Sequence, residues 1–207
     1  MFSKEKKMGD EIRSTWEIVL EKLEKIGKAD PEELKLENLK ESAFKTCAKF
    51  LNEPTSSWED TVGKFLSQVE PKYKRQAIKF ITEVLLKNIV LPKLETQLAN
   101  SERAIAGLSY LFKGLPEMGK LIKQTEALIK EYYTQRKALY EELKKKYSAE
   151  LSALEQALSN NLGVEVKVSA DQHPQFQEEW RKISEYIDRE AETQLEYLKQ
   201  IFQKVVS

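Results

Sequence analysis

The chain has 207 residues, with 34 Lys and Arg against 34 Asp and Glu, and a single Cys. Balanced charge leaves no global field to gather nucleic acid or anionic lipid, and one Cys excludes an internal disulfide. Charged residues make up 33% and hydrophobic ones 41%, with only seven Gly and six Pro; this suits long, solvent-laced helices better than a compact α/β enzyme, because straight-chain residues lose little rotamer freedom in a helix.

In chain order, the N-terminal "MFSKEKKMGDEIRS" has no apolar run and no small-residue cleavage site, so no signal peptide is expected. A first helix is predicted from Asp10 to Lys28, with Ile12, Trp16, Val19, Leu20, Leu23 and Ile26 at helical spacing and Gly27 as a stop. "ADPEEL" restarts the chain: Asp30 caps, Pro31 takes the first helical position, and Glu32 and Glu33 favour the positive end of the helix dipole. That helix should reach about Asn52. After "NEPTSSWED", Ser56 or Ser57 should cap a short third helix through Val69, and Pro71 should open a fourth.

The fourth helix contains "AIKFITEVLLKNIVLPKL", the most apolar stretch of the chain, and is expected to continue with a bend to Phe112. On a helical wheel Lys72, Arg75, Gln76, Glu83 and Lys87 cluster around Lys79, and nearly everything else from 77 to 91 is apolar. A helix apolar around most of its circumference is normally a central core helix. Pro92 cannot donate to the carbonyl of Asn88 and pushes against it, which predicts a kink. No run is long and apolar enough to span a bilayer as a helix, so the expected location is the cytoplasm.

After a break at "KGLP", a helix of about 45 residues, roughly 65–70 Å, is predicted from Pro116 to Asn160. Leu115, Met118, Ile122, Thr125, Ile129 and Tyr132 form a heptad-like seam that Arg136 interrupts. Leu139 and Leu143 resume it, and the step to Tyr147 and Leu151 is a stutter. In the connector, Val164, Val166 and Val168 alternate with polar residues as a strand would. The last helix, from Pro174 to Val206, has its own seam through Phe176, Trp180, Ile183, Ile187, Ala191, Gln194, Leu198, Ile201 and Val205. Residues 113–147 hold nine basic and five acidic side chains, and residues 150–207 hold eleven acidic and six basic. Joined by the connector, the two helices can fold back as an antiparallel hairpin, and this charge complementarity can help set orientation and partner choice.

The expected fold is therefore all-α: an N-terminal helical bundle over 1–113 and a long antiparallel coiled-coil hairpin over 114–207, or the two as one continuous domain. Two surfaces are candidates for interaction. One is the basic group Lys72, Lys74, Arg75 and Lys79. The other is the face Tyr133, Lys137, Tyr140 and Lys144, where aromatics interleaved with Lys can stack on bases while the cations meet phosphates. The plainer reading of that face is tyrosines flanking a helical seam with solvated lysines.

Catalytic chemistry finds little support. The one His, His173, sits beside Pro174 in the connector, and nothing places it with Cys47 as base and nucleophile. No His/Cys cluster suits zinc, and "KGLPEMGK" lacks phosphate-loop spacing. Glu32/Glu33, Glu141/Glu142 and Glu178/Glu179 read as helix-start charges or salt partners. No catalytic, cofactor-binding or metal-ligating residue is expected.

The stretch "MGDEIRSTWEIVLEKLEKIGKADPEEL" resembles the N-terminus of a group of uncharacterised bacterial helical proteins. The resemblance implies a bacterial cytoplasmic protein and brings no function with it. The expected role is a non-catalytic scaffold or adaptor that self-associates as a homodimer or higher oligomer and presents its hairpin to a protein partner. The alternatives are a nucleic-acid-associated protein and, behind it, a peripheral membrane protein.

Overall fold

The computed structural model describes residues 30–162 and 169–207, all of them helix, turn or connection, with no strand among the described residues. The helix expected over 10–28 and the valine alternation at 164–168 lie outside these residues. The helices are α1 (Pro31–Asn52), α2 (Lys64–Gln68), α3 (Lys74–Lys87), α4 (Glu95–Leu111), α5 (Pro116–Leu162) and α6 (Pro174–Val206). The chain divides into two compact units, Met1–Glu41 and Ser42–Ser207.

Local chemistry accounts for the ends. Asp30 accepts the backbone N–H of Glu32 at 3.0 Å and so caps α1. At the other end of α1, Arg103 of α4 donates to the carbonyls of Phe50, Glu53 and Ser56 at 2.5, 2.7 and 2.9 Å. Its guanidinium also lies 4.7 Å from the centre of the Phe50 ring. A side chain 50 residues away thereby satisfies carbonyls that the helix end leaves orphaned. Of the two candidate caps, Ser57 is the one used: it accepts the Asp60 N–H at 3.0 Å and donates to the Asp60 carboxylate at 2.6 Å. A π-helical turn (Glu59–Gly63) then leads into α2. Gly114, at φ +92°, makes the left-handed turn between α4 and α5 that other residues adopt at a cost.

The apolar stretch is core, as its wheel predicts: Ala77, Ile81, Leu85 and Ile89 are fully buried. The single bent helix expected from Pro71 to Phe112 is instead a 3₁₀ turn followed by two helices, α3 and α4, with a break over residues 88–94. The proline disfavours the helical conformation of the residue before it as well as removing a donor. The polar groups freed by the break are taken up locally. Buried Ser101 accepts the Val90 N–H at 3.1 Å, and Gln97 accepts the N–H groups of Lys93 and Leu94 at 2.7 and 3.2 Å. The break is thus a fixed corner that swings Lys93 and Leu94 outward.

The two long helices run antiparallel: Phe112, just before α5, meets Phe202, Tyr132 meets Asp188, and Tyr147 meets Phe176. The α5 seam holds, with Met118, Ile122, Thr125, Ile129, Tyr132, Leu143, Tyr147 and Leu151 buried, while Leu115 is exposed. In α6 the expected seam fails after Ala191. Leu195, Phe202 and Val206 are buried, whereas Gln194 and Val205 are exposed. There α6 packs on α3 as well as on α5, so its buried face follows the 3.6-residue period of a helix among several neighbours. The main core draws Phe112 and earlier residues together with Met118, Ile129, Leu195 and Phe202, across residues 113 and 114.

One crossing in this core is unusually close. A Cβ built on Gly107 of α4 comes within 2.8 Å of a Leu85 methyl and 3.2 Å of the Phe50 ring. Both neighbours are buried, so a larger residue overpacks the crossing. Gly107→Val is expected to cost roughly 2 kcal/mol and lower the midpoint by about 5 °C, read by thermal unfolding followed by circular dichroism.

Candidate functional site

The polar feature at the centre of the α5–α6 pair is Asp188, a carboxylate whose side chain is only 20% exposed. Its Oδ1 accepts from the Tyr132 hydroxyl and from Arg136 Nη1, both at 2.6 Å. Its Oδ2 pairs with Lys93 Nζ at 2.9 Å. Two donors come from α5 and one from the corner between α3 and α4, so a single carboxylate ties three segments together. Arg136 interrupts the apolar seam because it answers this charge, and its guanidinium rests 5.0 Å from the Trp180 ring centre.

Burial pushes the Asp188 carboxyl up, but the hydrogen bonds from Tyr132 and Lys93 and the charges of Arg136 and Lys93 outweigh it. The group is held below the usual carboxylate range. The Tyr132 hydroxyl is raised, first by burial and then by donating to Asp188. Elsewhere, burial pushes the Cys47 thiol up to about 12, which fits a small buried hydrophobe.

Beside this network a cleft of about 360 Å³ opens between the α3–α4 corner and the two long helices. Its aromatic wall is Tyr133, Tyr140 and Trp180, and its cations are Lys93, Arg136 and Lys137. Leu94 and Glu95 form the facing edge, and Leu94 is 62% exposed. Tyr140 stands edge-on to Phe176 and Trp180, with ring centres 5.5 and 5.1 Å apart.

The model for the family of unknown function DUF6657 matches residues 63–204. The chain belongs to that family. The matched span contains every residue of the cleft and of the Asp188 network, and it lies apart from the opening stretch on which the resemblance was noted. No match is found among curated proteins or among solved structures.

Of the residues singled out from sequence, the structure brings Tyr133, Lys137 and Tyr140 together on the cleft. Lys144 is half-buried farther along α5, and its charge helps hold the Asp171 carboxyl low, behind the hydrogen bond from Ser169. The basic group lies elsewhere. The Lys72 ammonium is 4.4 Å from the Tyr73 ring centre, Lys74 is exposed, and Arg75 donates to the Ser207 carbonyl at 2.7 Å. Lys79 lines a separate hollow of about 480 Å³ beside the last turns of α6, with Lys87 and Lys199. From Ser207 back to Trp180 is 27 residues, about 40 Å along a helix, so the two basic groups do not share a surface.

Sequence reasoning passed over Lys93 and Asp188 and met Arg136 only as an interruption of the apolar seam. The available signals were an arginine breaking an apolar seam and a lysine pinned next to Pro92.

Because the folded state holds Asp188 below its ordinary range, its stabilising effect is present above the unfolded carboxylate range and is lost as pH falls through the folded value. Asp188→Asn is expected to cost on the order of 2 kcal/mol at neutral pH. In paired urea titrations, the gap between wild type and variant should shrink as the pH drops below about 4.

Proposed function

We propose that the chain is a non-catalytic interaction module, a helical adaptor that docks an acidic segment of a partner protein in the cleft. The observation that carries this reading is the lining itself. Three cations stand against two carboxylates, Glu95 and Asp188, beside aromatic walls and a protruding Leu94. Lys93 and Arg136 both contact Asp188, and the exposed Lys137 adds charge toward an incoming group. A segment with a carboxylate next to an aliphatic or aromatic residue matches both halves of the lining.

The choice of occupant follows from what the fold has used. A bare pair of long helices leaves apolar surface for a second copy, but here α3 packs on α6 and α4 on α5 within the chain. The reading therefore asks for a partner of different chemistry and needs no self-association. Nucleic acid fits less well. Tyr140 is occupied edge-on by Phe176 and Trp180, Trp180 is already faced by Arg136, and the second basic group lies at the far end of α6.

Binding is expected between the purified chain and a short capped peptide in which Glu residues flank a single Phe, followed by calorimetry. It should weaken with added salt, since the Lys137 contribution is solvent-exposed, and by about tenfold in Lys137→Glu. An unaffected Lys137→Glu variant, or tighter binding of a single-stranded RNA than of any acidic peptide, contradicts the proposal.

A further inference from the structure

The guanidinium of Arg136 is held by Asp188 and Trp180, with the Tyr132 hydroxyl also beside it. Its Nη1 bonds Asp188, and its face lies on Trp180. The side chain is 15% exposed and lines the cleft. Arginine carries five N–H donors in a rigid fork, yet among the described residues no carboxylate or carbonyl accepts from Nε or Nη2. These donors are not sealed off, since among the described residues the buried side-chain polar atom without a partner is His173 Nδ1; they are open to water or to an incoming acceptor. Asp188, steadied by Tyr132 and Lys93, fixes where the fork sits before any ligand arrives.

We infer that Arg136 is the anchor of the cleft and takes a carboxylate of the docked segment through its free edge, with Tyr132 and Asp188 as its positioning residues. This deepens the adaptor reading and rests on it. Orientation supplied in advance favours a planar two-oxygen group over a neutral amide of the same shape. The neighbouring Leu94 and Tyr133 then receive the apolar side chain beside that carboxylate.

The test uses the full chain and two capped peptides, one with Glu and one with Gln at the same place next to Phe. Wild type should bind the Glu peptide at least about tenfold more tightly. Arg136→Lys, which keeps a charge opposite Asp188 but loses the fork, should erase most of that preference. Should the variant not fold, the Nε–H resonance of Arg136 in the wild-type protein serves instead, and it should shift with the Glu peptide and not with the Gln peptide. Equal binding of both peptides by wild type, a preference surviving Arg136→Lys, or an unmoved Nε–H resonance overturns the anchor. If Lys137→Glu still weakens binding in that case, the adaptor reading stands without it. Failure of every acidic peptide to bind removes both.

Discussion

A carboxylate placed between helices is unfavourable unless its partners arrive with it, and the arrangement of this molecule around Asp188 follows from that constraint. One oxygen takes two donors from α5 and the other meets a lysine from the α3–α4 corner. Removing Asp188 leaves the enclosed guanidinium of Arg136 without its counter-charge, and removing Arg136 leaves the carboxylate only the half-exposed Lys93. The carboxylate therefore fixes the register of α5 on α6 and the position of the corner. Pure apolar packing, which tolerates sliding by a turn, specifies such a register less sharply.

The cleft is a by-product of the same constraint. Pro92 stops the third helix and turns the chain outward, Ser101 and Gln97 hold the corner by its backbone groups, and Lys93 draws it toward Asp188. What remains is a groove with one wall of rings and a rim of cations, its arginine already oriented. Preorganisation of this sort reduces the ordering cost that binding otherwise carries. Membership of DUF6657, over a span containing all these residues, assigns no activity, so the chemical reading rests on the side chains alone.

Much of the fold was legible in the sequence because it is written in local chemistry. The Asp30–Pro31 start, the turn at Gly114, the buried face of the apolar stretch and the seam of α5 all depend on neighbours a few residues apart. The break at 88–94 was legible only as a kink, since the hydroxyl of Ser101 and the amide of Gln97 that make it a full corner come from the next helix. The α6 seam slipped after Ala191 because its buried face there depends on α3, which periodicity within α6 does not report. Three of the four residues of the tyrosine–lysine face border the cleft, but the residues that give the cleft its character join three separated segments. An interrupted seam at Arg136 marks that something charged must face it; it does not say that the answer is Asp188, 52 residues on.

The central claim is that Asp188 holds Arg136 in place through a direct, poorly solvated interaction. A double-mutant cycle on Arg136→Gln and Asp188→Asn, read as unfolding free energies in urea at low and high salt, measures it most directly. The account predicts a coupling of about 1–3 kcal/mol that changes little with salt, because both side chains are largely enclosed. Additive effects within about 0.5 kcal/mol, or a coupling that salt abolishes, would contradict it.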